Sequence, residues 1–296
     1  MSRVAPDKKM TACTAKPGTS YERCGPIAVP ERSPLIFIHG VGMTRHFWKP
    51  QVQEFAGAYP VILYDTFGHG ESALPPKGGD LQDYVDQLSD LMDALHVGRA
   101  NIIGHSMGAL IATGFALTHP SRCEKLIAMM GIYDRSPEHI ARTSDTAARL
   151  AKEGPETVFR STLARWFSEE DRLDSGRQDA IGKIERILSQ TNPEGYARAY
   201  RVFAESGERF CGRLQDLQMP SLFMTAELDP NSSPAMSRKM ANAAPKGYSA
   251  ILADERHMAS FVAPQKTNPV LASFLAWSGK GRWDYQMANV DDGRFT

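Results

Sequence analysis

Apolar residues along this chain follow two patterns that take turns. Short unbroken runs, LIFIHG at 35–40, VILYD at 61–65, RANII at 99–103, KLIAMM at 125–130, SLFMTAE at 221–227 and SAILA at 249–253, have the length and content of strands buried on both faces. Between them lie longer stretches in which apolar positions recur three and four apart. The cleanest is Asp80–His96, where Leu81, Tyr84, Val85, Leu88, Leu91, Met92 and Leu95 share one helical face, with Asp80 as the expected N-cap and Gly98 as the expected stop. A helix is also expected from about Thr44 to Gly57, and Ser20–Cys24 reads as a short edge strand. Strands alternating with helices at this spacing specify an α/β fold built on a doubly wound, mostly parallel sheet. At Gly131 the rhythm changes. From Tyr133 to Arg213 there is no buried strand, only four helical, charge-rich segments, before MPSLFMTAELD restores the alternation. The pattern predicts a core over residues 20–134 and 214–277 and a helical cap over 135–213, inserted after the sixth strand. Residues 1–19 read as a disordered leader and 278–296 as a loosely ordered C-terminal tail.

Candidate chemistry gathers where runs end. Gly104-His105-Ser106-Met107-Gly108 is a G-x-S-x-G pentapeptide at the junction of a strand and a helix. So sharp a turn strains the serine backbone, and its flanking glycines let strand and helix approach; Ser106 Oγ is then held out at a helix N-terminus, where negative charge is favoured. A serine hydroxyl becomes a nucleophile when an imidazole takes its proton and a carboxylate orients that imidazole. Asp229, within ELDPN, and His257, within DERHM, each follow a late strand, which gives the order Ser106, Asp229, His257. Asp134, just after KLIAMM, is the rival acid, and capping of the helix after Pro230 is the bland alternative for Asp229. The loop His39-Gly40-Val41-Gly42 follows the first buried strand. Val41 N–H and Met107 N–H are the expected oxyanion donors, although 39–42 also reads as a plain strand-to-helix turn. Phe67–Ser72 is glycine-rich but carries neither a G-x-x-x-x-G-K-[ST] nor a G-x-G-x-x-G pattern, so His69 reads as a hydrogen-bonded loop residue. His105 is expected to point away from the nucleophile. Within the cap, Arg142, Arg165, Arg198 and Arg201 are candidates for clamping a substrate carboxylate, against the alternative that they face solvent. Trp166, His39 and Gly40 complete the candidate substrate contacts, and Glu169–Asp171 reads as a solvated face.

Composition narrows the partners. Lys plus Arg and Asp plus Glu balance at 34 each, so no net field favours nucleic acid or an anionic membrane. No run of 18 apolar residues predicts a membrane span, and the N-terminus lacks the apolar core of a secretory signal. The four cysteines are scattered without metal spacing, which predicts free thiols, no metal site and a reducing, cytoplasmic setting. A small-molecule substrate, no cofactor, and a monomer or homodimer complete the expectation.

Taken together, HGVGMTRHFW, YDTFGHGES, GHSMGA, ELDPN and ERHMAS resemble the α/β-hydrolase superfamily over Ser20 to Trp277. The cap segments ARWF and NPEGYARAYRVFA are similar to those of the 3-oxoadipate enol-lactonase and ring-cleavage-product hydrolase group. The resemblance implies a cofactor-independent serine hydrolase. It would work through an acyl-enzyme on a small carboxylate-bearing ester or lactone, in aromatic or heterocyclic catabolism. Carbon–carbon hydrolases of the same group commonly carry a tryptophan after the histidine, whereas here Met258, Ala259, Ser260 and Phe261 follow. Carbon–carbon or amide hydrolysis by the same triad, and a ligand-binding receptor with little turnover, remain the alternatives.

Overall fold

The structure, a computed structural model, describes residues 11–15, 18–29 and 32–285. In chain order the strands are β1 (Thr11–Ala15), β2 (Thr19–Cys24), β3 (Leu35–Ile38), β4 (Val61–Tyr64), β5 (Ala100–His105), β6 (Cys123–Met129), β7 (Ser221–Ala226) and β8 (Gly247–Leu252). They form one sheet in the order β1-β2-β4-β3-β5-β6-β7-β8, parallel from β4 to β8 and antiparallel at β1 and β2. Every residue of β3, β4, β5 and β7 is buried, as strands covered on both faces must be. Two groups of helices supply the cover. One comprises α1 (Lys49–Phe55), α10 (Ala259–Val262) and α11 (Pro264–Ala276), which pack on one another. The other includes α2 (Leu81–Ala94) against α3 (Met107–Thr118), with α3 lying on β5 and β6, while α9 (Pro234–Ala243) packs on β7 and β8.

Three details depart from the sequence reading. Thr11–Ala15, inside the expected disordered leader, pairs antiparallel with β2 from Thr11↔Arg23 to Ala15↔Thr19, so β2 is not the edge. Residues 1–10 lie outside the described residues. Helix α2 starts as expected: Asp80 accepts from Gln82 N at 2.7 Å and Asp83 accepts from Asp80 N at 2.7 Å. It ends earlier than Gly98. His96 takes the left-handed conformation (φ 54), and Val97 N and His96 N donate to Met92 O and Asp93 O at 2.8 and 3.0 Å, the paired bonds of a Schellman stop. At the C-terminus, Trp283 is buried edge-on against Phe274 and donates Nε1–H to Ser273 Oγ at 3.1 Å, so the chain is docked on the core at that point. Residues 286–296 of the expected tail lie outside the described residues.

Between β6 and β7 run five helices, not four: α4 (Pro137–Glu153), α5 (Glu156–Trp166), α6 (Glu169–Leu173), α7 (Ser175–Ser189) and α8 (Pro193–Glu205). The extra break falls at Ser168, which accepts from Asp171 N at 3.1 Å while Asp171 accepts from Ser168 N at 2.8 Å. That reciprocal cap starts a new helix inside what reads as continuous helical sequence. Asp171 also pairs with Arg177 at 2.9 Å, so of the expected solvated face only Glu169 and Glu170 are exposed.

A buried ionic cluster ties β2 and β4 to the segment after β3. Arg45 Nε meets Glu22 at 2.8 Å, its two terminal nitrogens meet Asp65 and Glu71, and its backbone N–H donates to Asp65 Oδ1 at 2.7 Å. Asp65 and Glu22 are buried, so removing the cation strands two carboxylates away from water. Arg45→Met is expected to destabilise the fold by about 3–5 kcal/mol. The shift of the urea midpoint at constant slope measures it, and an unchanged midpoint would refute this account of the cluster.

Candidate active site

The nucleophile candidate sits where the sheet forces the sharpest turn. Ser106 joins β5 to α3 at φ 56 and ψ −117, and its N–H donates to Met129 O at 2.8 Å. A non-glycine residue in this region is strained and persists only where its surroundings over-determine it. The glycines explain themselves sterically: a Cβ on Gly104 would strike the Gly108 backbone, and one on Gly108 would strike the carbonyls of Ile38 and His39. Strand and helix meet too closely for any side chain at either position.

Asp229 and His257 follow β7 and β8 at the same sheet edge. The structure brings them together: His257 Nδ1 lies 2.6 Å from Asp229 Oδ2, with both side chains buried. Asp229 Oδ2 also accepts from Ser232 Oγ at 2.5 Å, and Oδ1 accepts from Asn231 N at 2.8 Å. Burial alone would raise this carboxyl, yet the His257 ring and the Ser232 and Asn231 donors more than offset it and hold Asp229 below the usual carboxylate value. Asp134 lies elsewhere. It is exposed and pairs with Lys239 at 2.8 Å, which removes it as a partner for His257. His105, expected to point away, reaches beneath the base: its Nε2 is 2.8 Å from His257 O, and the two rings meet edge-on at 5.0 Å.

On the other flank, Gly40 approaches so closely that a Cβ there would stand 3.0 Å from Ser106 Cβ. The Val41 N–H is therefore carried on a loop in contact with the serine, and Met107 N–H is the first of helix α3, where no intrahelical acceptor exists. His39, expected at the substrate, is instead buried behind this loop, with Nδ1 on Gly40 O at 2.8 Å and Nε2 on Thr66 N at 3.0 Å. His69 is a bonded loop residue, accepting from Gly42 N at 3.0 Å.

Above the base, Trp166 of α5 lies nearly parallel to His257, with centroids 6.2 Å apart and 15° between planes. Its neighbour Arg165 lines a cleft with Arg142, Arg135, His139, Tyr200 and Asn231. No acidic residue lines this cleft, and it opens two residues from Asp229. Arg135 is already engaged, donating to Ala204 O at 2.8 Å, whereas Arg142 and Arg165 make no ion pair among the described residues. Arg198 and Arg201 are turned elsewhere: Arg198 donates to Pro75 O at 2.7 Å, and both pair with glutamates on their own helix. Sequence reasoning missed Arg135, His139, Tyr200 and Asn231, which converge from α4, α8 and the β6 and β7 loops. It also missed Glu255, buried two residues before His257 and bonded to both terminal nitrogens of Arg177 on α7 at 2.9 and 2.8 Å. Among the described residues no helix is long and apolar enough to cross a membrane.

Known proteins share this architecture. In Acinetobacter baylyi, (E)-2-((N-methylformamido)methylene)succinate hydrolase is 35% identical over 247 residues, 83% of this chain and 91% of that protein. The 3-oxoadipate enol-lactonase 1 of the same organism is 26% identical over 260 residues, 83% of this chain and 90% of that one. Among solved structures, the enol-lactonase from Burkholderia xenovorans LB400 superposes with a TM-score of 0.80 at 22% identity, covering 90% of this chain and all of that one, a likeness of fold. The model of the alpha/beta hydrolase fold family matches residues 33–264, which span the strand before the Gly40 loop through the loop of His257. With a mostly parallel sheet that carries a strained serine and an Asp–His pair at the ends of its strands, the chain belongs to the alpha/beta hydrolase fold family.

Proposed function

We propose that the protein is a serine hydrolase that works without a cofactor, through an acyl-enzyme, on a small carboxylate-bearing ester or lactone. The observation that carries the reading is the 2.6 Å contact between Asp229 Oδ2 and His257 Nδ1, at the sheet edge where Ser106 is strained. With Nδ1–H donated to Asp229, the His257 Nε2 lone pair is the base that takes the Ser106 proton as Oγ attacks the carbonyl. Val41 and Met107 N–H stabilise the oxyanion, a contribution of about 3–4 kcal/mol per donor. The imidazolium then protonates the leaving group. Water, deprotonated by the same nitrogen, cleaves the acyl-enzyme and restores Ser106. Trp166 shields the pair from solvent, and Arg142 and Arg165 take the substrate carboxylate, since the guanidinium fork matches that group. The succinate in the name of the 35%-identical relative supports a doubly acidic substrate for this chain as well. Amide cleavage by the same steps is the second reading, favoured by the formamido group in that name. The free thiols of Cys123 and Cys211 fit a cytoplasmic setting; the Cys13 side chain lies outside the described residues.

Two measurements test this reading. A fluorophosphonate should add once to the wild type, and peptide mapping should place the adduct on Ser106; no adduct would favour the receptor alternative. Arg165→Gln should raise KM for mono-4-nitrophenyl succinate about 10- to 100-fold, the worth of a charge-assisted bond, and leave 4-nitrophenyl butyrate within twofold. Equal effects on both esters would remove the arginine from substrate recognition.

A further inference from the structure

The loop after β3 is gripped from behind by two imidazoles. His39 places Nδ1 2.8 Å from Gly40 O and Nε2 3.0 Å from Thr66 N. His69 places Nε2 3.0 Å from Gly42 N, and Nδ1 3.0 Å from Thr66 Oγ1 and 3.1 Å from Phe67 O. The partners decide the tautomers. A peptide N–H only donates, so both Nε2 atoms accept; a carbonyl only accepts, so both Nδ1 atoms carry the proton. Both rings are therefore neutral Nδ1–H imidazoles, 5.1 Å apart and nearly perpendicular. Gly40 O belongs to the same peptide as Val41 N–H, and Gly42 N belongs to the next one. Each imidazole thus holds one of the two peptide planes that flank Val41.

We infer that His39 and His69 are positioning residues for the reaction, together setting the direction in which Val41 N–H points. The inference rests on the reading of Val41 as an oxyanion donor. In a trans peptide the carbonyl and N–H point opposite ways. Donation to Gly40 O from His39, joined by Met43 N at 3.1 Å, therefore turns Val41 N–H to the far side and strengthens it as a donor. Gly42 has φ +79 and no side chain to restrict it, so the bond to His69 supplies the restraint that its own backbone lacks. Preorganised donors stabilise a transition state because they need not reorient when charge develops. Burial holds His39 at about 4 and His69 at about 3, so neither ring gains the second proton that would oppose a peptide N–H at neutral pH.

The two positions predict opposite rescue patterns. Asparagine places its amide near the Nδ1 of histidine, and glutamine places its amide near Nε2. His39→Asn keeps a donor for Gly40 O and His39→Gln does not; His69→Gln keeps an acceptor for Gly42 N and His69→Asn does not. On 4-nitrophenyl acetate, His39→Gln and His69→Asn should lose about 10- to 100-fold in kcat with KM within twofold. Their rescuing counterparts should stay within about threefold of wild type. Equal losses for the two amides at either position, or losses carried by KM, overturn the inference. Should the variants not fold, ¹⁵N spectra of the histidine rings in the wild type decide it. Two rings must stay in the Nδ1–H form from about pH 8 to about pH 5.5, and an imidazolium or Nε2–H ring at either position overturns it. Failure of the underlying reading looks different, because the wild type would then neither take up fluorophosphonate nor turn over the ester.

Discussion

Ser106→Ala is expected to lower kcat roughly a millionfold and Asp229→Asn about ten-thousandfold, with Asp134→Asn within twofold of wild type. The ranking follows from what each atom does. In the proposed mechanism, loss of Ser106 Oγ removes the acyl-enzyme and leaves only the oxyanion donors and substrate binding to accelerate attack by water. The Asp229 carboxylate has a subtler task. Its Oδ2 accepts from Nδ1 of His257 and also from Ser232 Oγ, so an amide placed there can present either its oxygen or its NH₂, and the surroundings decide which. Asn231 N and Ser232 N both donate to Oδ1, at 2.8 and 3.3 Å, which keeps the amide oxygen there and puts the asparagine NH₂ at the Oδ2 position, facing His257 Nδ1 and a Ser232 hydroxyl that can turn to accept. The ring would then be held with Nδ1 accepting and the proton on Nε2, the wrong tautomer for a base. Thermal midpoints of Asp229→Asn and wild type should stay close while kcat collapses. Asp134 is exposed and held by Lys239, so its amide variant should be unaffected; if Asp134→Asn were the slow variant, the acid assignment would fall.

Parts of this molecule are legible in its sequence because a physical constraint writes them into local spacing. A strand covered on both faces must be an apolar run, so β3 to β8 can be read directly, and with them the ends at which Asp229 and His257 stand. The pentapeptide around Ser106 is legible for a steric reason: two backbones in contact leave room only for glycine at 104 and 108. Other features have no such signature. Thr11–Ala15 is TACTA, without an apolar run, and is a strand because β2 offers it an edge. The end of α2 is taken by His96 rather than Gly98, since the packing of Val97 and the bond from its N–H to Met92 O settle where the chain turns. The cleft of Arg135, Arg142 and Arg165 draws on the loop after β6 and on two separate cap helices, and no window of sequence shows that they converge. His39 is the instructive case. Its place beside the loop is visible in HGVG, but not that its ring turns back onto the main chain instead of out toward a substrate.

A steep loss of stability on mild acidification should follow from the same buried rings. His39, His69 and His105 are each almost wholly buried, and burial lowers them to about 4, about 3 and about 3, with neighbouring Arg45, His39 and His257 pressing in the same direction. In the unfolded chain each titrates near 6.5, so between that value and the folded one the unfolded state binds more protons than the native state. Stability is then fully present above about pH 6.5 and falls as pH drops toward 4, by about 1.4 kcal/mol per unit for each ring. Three rings together give about 4 kcal/mol per pH unit, or roughly 6 kcal/mol by pH 5, comparable with the whole stability of an ordinary domain. The native bonds say why the rings cannot simply adapt. A proton on Nε2 of His39 or His69 would face the N–H of Thr66 or Gly42, and one on Nδ1 of His105 would enter a site with no acceptor. Asp229, held below the usual carboxylate value, adds its own loss only further down, as the pH approaches the carboxylate range. Urea midpoints from pH 7.5 to pH 5 measure the effect, and His39→Asn, which removes one titrating ring, should flatten the slope by about a third. A midpoint that stays level across that interval would mean that the rings are protonated in the native state, and that the acceptor roles of Nε2 in His39 and His69 and the unpartnered Nδ1 of His105 are not those of the folded protein in solution.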